Sequence, residues 1–204
     1  TWSSVPDFNL QVAGENLSFM EGLLEKGYTI YALDARGYGG TPRDSSGWLT
    51  PDRLVKDATA ILAWIKSKNG IDSHLFGWSY GAMVAQLVVQ HAPKLVSSVT
   101  LFGYPNYPTR FVYSERPEYP KTAPARSNTA HNAASDFITP GSISDEAIAA
   151  YVEAALKADP VRVDFKDLHQ WQALDPTLIT TPLLLLQAEY DPLTPSEQQA
   201  TFFQ

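Results

Sequence analysis

The chain has 204 residues, 44% of them hydrophobic, which is enough for one sizeable core. Its 15 Lys and Arg against 22 Asp and Glu leave a net charge of −7 with no long block of either sign, arguing against nucleic acid or an anionic membrane as partner. The absence of cysteine excludes disulfides, thiolate zinc sites and a cysteine nucleophile; no apolar run approaches the roughly 20 residues that span a bilayer, and a cytoplasmic location is the default expectation.

Thr1 is not an initiator Met and Gln204 falls a few residues into what reads as a helix, so the expectation is a piece of a longer chain. From Glu15 to Lys26, Phe19, Met20, Leu23 and Leu24 form a helical stripe, and Gly27 follows as a left-handed cap residue. Tyr28 to Leu33 is a short aromatic and β-branched run, expected to be a buried strand, that ends in the glycine-rich loop Asp34-Ala-Arg-Gly-Tyr-Gly-Gly. Thr50-Pro51 supplies a cap and a first-turn proline, after which Leu54, Val55, Ala58, Ile61, Leu62 and Ile65 recur at helical spacing until Asn69-Gly70.

His74 to Trp78 reads as a strand and Ala82 to His91 as a helix stopped by Pro93, with a glycine-flanked serine between them. Val96 to Phe102 and Leu183 to Ala188 are continuous apolar runs of the kind found in strands covered on both faces of a parallel sheet. The alternation predicts an α/β layer fold. Between Gly103 and Thr181 prolines, aromatics and polar residues interrupt this pattern, apart from a helix at about Asp145 to Lys157. The expected organisation is a core over 1–103, an inserted cap over 104–180, and a return to the core over 181–204.

Gly77-Trp78-Ser79-Tyr80-Gly81 has the G-x-S-x-G form of a nucleophile elbow, in which a strained strand-to-helix turn lifts a serine hydroxyl clear of the backbone. Glycines on either side are expected where larger side chains would collide. The helix that follows directs its N-terminal dipole and free amides at the site, so the Tyr80 backbone N–H is the expected oxyanion donor. An ordinary turn with an incidental serine would share the pentapeptide; the flanking strand and helix favour the catalytic reading.

LDARGYGGT, LFGWSYGAMVAQL and PLLLLQAEYDPLTP, in this order, resemble the α/β-hydrolase superfamily, in its capped, esterase-like branch, over most of the chain except the cap. The resemblance implies a three-layer fold, mostly parallel sheet with helices on both faces, and a serine hydrolase acting without cofactor or metal on a small-molecule acyl substrate. An oligomer is compatible with it. Asp34, Arg36, Gly37 and Gly39 correspond to the family's D-x-R-G-x-G loop and are expected to be architectural. The family places its triad acid just after a late strand, where Asp191 stands, with Glu189 as the rival carboxylate; Thr194-Pro195-Ser196-Glu197 reads as a capping box. Such an acid fixes the tautomer of a histidine whose other nitrogen takes the serine proton.

The family order Ser…Asp…His puts that histidine after Asp191, yet the last histidine here is His169. His74 opens a strand, His91 lies at the far end of a helix about 18 Å from the serine, His131 falls in the polar cap stretch, and His169 would require a permuted order. The expectation is therefore a histidine beyond Gln204, with the first strands and the second oxyanion donor upstream of Thr1 and Trp2. Trp78, Tyr104 and Trp2, with Tyr107, Phe111 and Tyr113, are candidate walls of a substrate pocket, or else aromatics that pack the cap.

The favoured activity is carboxylic-ester hydrolysis. Acyl transfer, peptide cleavage and a non-catalytic binding protein of the same fold are the alternatives. A proline-iminopeptidase branch is disfavoured because its tryptophan follows the serine, and dehalogenase or epoxide-hydrolase chemistry because those relatives carry Asp at the position of Ser79.

Overall fold

The computed structural model describes residues 7 to 104 and 117 to 203. In chain order the elements are α1 (Phe19–Leu24), β1 (Trp48–Leu49), α2 (Pro51–Asn69), β2 (Ser73–Trp78), α3 (Tyr80–His91), β3 (Val96–Phe102), α4 (Ala130–Ala134), α5 (Asp145–Ala158), β4 (Asp164–Phe165), β5 (Leu183–Leu186) and α6 (Ser196–Ala200). The chain divides into two compact units, one of residues 1–49 and 119–165, the other of residues 50–118 and 166–204.

The second unit is built on a parallel sheet of order β2-β3-β5, with Gly77 opposite Leu101 and Leu101 opposite Leu185. Its helices start and stop where the sequence predicts. The Thr50 hydroxyl accepts the Arg53 N–H at 3.3 Å, Pro51 occupies the first turn of α2, and Gly70 closes it at φ 74°. Val55, Leu62 and Ile65 form its buried stripe, while Trp64 on the opposite side is 53% exposed. Met83, Leu87 and Val88 of α3 meet Val99 and Leu101 of β3 in one core in which each is 1% exposed or less. Burying side chains of this size stabilises by about 1.5–3 kcal/mol each.

In the first unit Tyr38, Trp48, Leu49 and Val163 are buried apolar residues. Ala133, Tyr151 and Ala155 make a separate small cluster, with Phe137 edge-on to Tyr151 at 5.0 Å. Burial, reinforced by the charges of Asp7 and Asp136, raises the Tyr151 hydroxyl pKa above the usual tyrosine value. β1 and β4 form a two-residue parallel ladder, and the buried Asp164 pairs with Arg126 and, at 3.8 Å, with Arg162. The Asp34 loop is architectural here: its carboxylate accepts the Gly40 N–H at 2.9 Å and its carbonyl the Thr41 hydroxyl at 2.7 Å. A Cβ on Gly39 would stand 2.3 Å from that carboxylate.

Three expectations change. Tyr28 to Leu33 forms no strand; Tyr28, Tyr31 and Leu33 are 53%, 43% and 43% exposed. A strand exists through its ladder, and none of the described strands pairs with this run. The helix expected from Glu15 begins only at Phe19, because Ser18 caps it by accepting the Glu21 N–H at 3.0 Å; Gly27 is left-handed as expected. A short helix, α4, also interrupts the polar stretch, started by the Thr129 hydroxyl.

Candidate active site

The turn at Ser79 is set by two hydrogen bonds. The Ser79 N–H donates to the Phe102 carbonyl at 2.9 Å, extending the β2–β3 ladder one residue past Trp78, while the Ser79 carbonyl accepts the Ala82 N–H at 2.9 Å and opens α3. The chain thus passes from ladder to helix across one residue, at φ 54° and ψ −123°. For a residue with a Cβ this is strained, typically by 1–3 kcal/mol. Gly77 is sterically required, since a Cβ there would lie 2.4 Å from the Gly81 carbonyl oxygen and 2.8 Å from the Ala82 Cα. Gly81 departs from expectation: apart from its chain neighbours and the backbone of its own helix, no described atom lies within 4 Å of a Cβ built on it.

Ser79 occupies the cap position of α3, but its exposed side chain makes no capping bond. The first amides of a helix have no intrahelical acceptor, and Tyr80 is the first residue of α3, so its N–H is positioned to serve an anion beside Ser79. The Tyr80 ring is otherwise engaged, lying parallel to buried Trp171 at 6.1 Å and 4°.

Trp78, 43% exposed, stacks on Phe102 at 6.2 Å. Gly103, at the end of β3 and φ 54°, gathers the site. A Cβ on it would lie 3.5 Å from the Trp78 Cδ1 and 3.6 Å from the Asp191 Oδ2. Ser79 follows β2, Gly103 follows β3 and Asp191 lies in the loop after β5, so three adjacent parallel strands deliver these residues from their carboxyl ends. Ligands of open parallel sheets bind at that end.

Asp191 is held by its own loop. Its Oδ1 accepts the N–H groups of Leu193 at 2.8 Å and Thr194 at 3.2 Å, and its Oδ2 accepts the Thr194 hydroxyl at 2.6 Å. Glu189 stands in an exposed turn. The capping box expected at Thr194 does not form, because that hydroxyl serves Asp191; Pro195 caps α6 without a side-chain bond. Thr194 and Gln187 are the participants that sequence reasoning missed, and the only signal for them was the tract itself.

Tyr104 is 2% exposed and edge-on to Phe202 at 5.2 Å, so its ring lies in the core, where burial raises its pKa above the usual tyrosine value. Thr1, Trp2, Tyr107, Phe111, Tyr113 and Gln204 lie outside the described residues. Among the described residues no histidine hydrogen-bonds Ser79 or Asp191. His74 Nδ1 meets the Ser98 hydroxyl at 2.8 Å, His91 ends α3, His131 lies in α4, and His169 lies in the 3-10 turn Leu168–Ala173. An open groove lined by Leu184, Ser196 and Phe203 runs beside β5 and has neither Ser79 nor Asp191 in its wall. Among the described residues no group of three or more His, Asp and Glu is placed to hold a metal, and no helix is long and apolar enough to cross a membrane.

The family model described as serine aminopeptidase, S33, matches residues 12–204. No curated protein matches the chain in sequence. Among solved structures, a Paleococcus ferrophilus monoacylglycerol lipase superposes with a TM-score of 0.55 at 20% identity, over 90% of this chain and 71% of the lipase. Polyneuridine aldehyde esterase gives 0.60 at 17% identity over 90% and 78%, and an extracellular α/β-hydrolase from a Paenibacillus species 0.54 at 15% over 99% and 82%. At these identities the likeness establishes the fold, and the family match covers nearly the whole chain. The chain belongs to the serine aminopeptidase S33 family and is an α/β-hydrolase with that superfamily's three-layer architecture.

Proposed function

We propose that this hydrolase cleaves a carboxylic ester or related acyl bond through an acyl-enzyme formed on Ser79. The observation that carries the reading is the backbone of Ser79: a residue other than glycine at φ 54° and ψ −123°, with an exposed hydroxyl at the head of α3 that takes no part in capping. Strain of this kind persists where the surroundings impose it and clusters at functional sites.

In this reading the Ser79 Oγ attacks the substrate carbonyl carbon and its proton passes to an imidazole. The tetrahedral oxyanion rests on the Tyr80 N–H, and the leaving alcohol departs with the proton as the acyl-enzyme forms. Water, activated by the same imidazole, then releases the acid and restores the serine. Asp191 orients the imidazole. Trp78 lines the acyl or alcohol subsite.

Neighbours named as lipase and esterase support an ester substrate, while the family's description favours amide cleavage at a peptide N-terminus as the second reading. A panel of short- and long-chain esters, thioesters and aminoacyl amides separates the two. Ser79→Ala at full natural chain length is expected to abolish p-nitrophenyl acetate turnover and fluorophosphonate labelling without loss of fold. Turnover and labelling that persist in that variant would refute Ser79 as the nucleophile, whereas a parent chain that neither turns over ester nor labels would leave the non-catalytic, ligand-binding reading of the fold in its place.

A further inference from the structure

We infer that Thr194 is a positioning residue for the acid, locking the Asp191 carboxylate through its hydroxyl while Gln187 ties that lock to the end of β5. The inference rests on the assignment of Asp191 above and extends it to two residues that do not touch substrate.

Thr194 is 3% exposed, and its hydroxyl has one proton to give. Two acceptors lie in reach, the Asp191 Oδ2 at 2.6 Å and the Gln187 Oε1 at 3.2 Å. The Gln187 Nε2 sits 3.0 Å from the same hydroxyl oxygen and also donates to the Thr194 carbonyl, so the glutamine amide acts as donor. The hydroxyl proton accordingly goes to the carboxylate, where the bond is charge-assisted and shortest. Gln187 directly follows β5, so the relay runs from the strand end through the amide and the hydroxyl to the acid.

The position of that bond on the carboxylate matters. The Leu193 and Thr194 amides both address Oδ1 and leave rotation about the Cβ–Cγ bond to be fixed at Oδ2. Oδ2 is also the Asp191 oxygen nearest Gly103, 3.6 Å from a Cβ built there. A carboxylate oxygen carries two lone pairs. With one taken by Thr194, the second is held in a fixed direction for an imidazole N–H. Without the hydroxyl the carboxylate would still be anchored at Oδ1 by backbone amides, but its working oxygen would be free to swing.

The test uses the full natural chain and counts active sites by organophosphate titration, so that rates refer to folded enzyme. Thr194→Val is expected to lower kcat for p-nitrophenyl acetate by about 10- to 100-fold, the range for losing a hydrogen bond to a charged group, with KM changed less than threefold. Thr194→Ser, which keeps the hydroxyl, is expected to recover activity to within threefold of the parent. A merely structural role would reduce the number of titratable sites and leave the rate per site unchanged. Thr194→Ala provides the same comparison should the valine variant fold poorly. A valine or alanine variant within twofold of the parent per site, or a serine variant as impaired as the valine one, overturns the inference. Loss of activity in Ser79→Ala and Asp191→Asn alongside either result would leave the assignment of Ser79 and Asp191 intact, so the two failures are distinguishable.

Discussion

Two residues other than glycine take positive φ among those described, and they do so in different ways. Asp167, at φ 55° and ψ 36°, sits in the left-handed well just before the Leu168–Ala173 turn, a conformation that aspartate tolerates. Ser79 has nearly the same φ but a ψ of −123°, outside that well. Asp167 makes a local turn with only the Gln170 N–H donating to its carbonyl at 3.0 Å, whereas Ser79 is held from both sides, by β3 through Phe102 and by α3 through Ala82. One positive φ is local turn chemistry; the other is imposed by the sheet and helix that meet there.

The sharpest way to break that distinction is through chemistry. If the elbow is maintained for catalysis, Asp191→Asn should lower kcat by about 10⁴-fold while the thermal midpoint moves little, since the substitution keeps the side-chain shape and presents the wrong hydrogen-bond partner to the imidazole. A loss below tenfold would separate the elbow from a triad.

A smaller effect is expected on stability from the glycines around Ser79. Gly77→Ala forces a Cβ into the Gly81 and Ala82 backbone and should cost about 3 kcal/mol in urea unfolding, whereas Gly81→Ala, in the open first turn of α3, should be neutral or stabilise by up to about 1 kcal/mol. Equal effects at the two positions would contradict the steric account.

The smallest expected effect addresses the comparison directly. Ser79→Gly relieves strain of about 1–3 kcal/mol and adds glycine entropy of about 0.5–1 kcal/mol to the unfolded chain, so a net gain near 1 kcal/mol is expected. Asp167→Gly, starting from a tolerated conformation, should change stability by less than about 0.5 kcal/mol. Similar shifts in the two variants would remove the difference between the two residues.

What the sequence made legible follows the range of the interactions involved. α2 was readable to its last residue because Thr50, Pro51 and Gly70 act within one turn of its ends. The β2–Ser79–α3 passage was readable for the same reason, its glycines and apolar runs lying within a few positions of one another. The run from Tyr28 to Leu33 was not, because a strand is made by its neighbour and composition does not say whether one is present. Thr194 shows the same limit at the site. Its spacing to Glu197 matched a capping box, but the hydroxyl was taken by Asp191, three residues the other way, and by Gln187 across the loop. Asp191 does follow β5, as its tract suggested, whereas the hydrogen bonds that hold its carboxylate had no signature of their own.

The parallel pairing of the sheet also carries a consequence in time. β2 and β3 are joined through α3 within a short stretch of chain, while β5 pairs with β3 across a segment on the order of 80 residues, between Phe102 and Leu183. Closing the longer segment has the higher entropic barrier, and contacts between distant parts of a chain form late. The serine turn is thus expected to be shaped early, by its own strand and helix, and Asp191 to join it later. A nascent or partly folded chain would then display the elbow before Asp191 is brought near it, so the two stand together only once β5 has paired with β3.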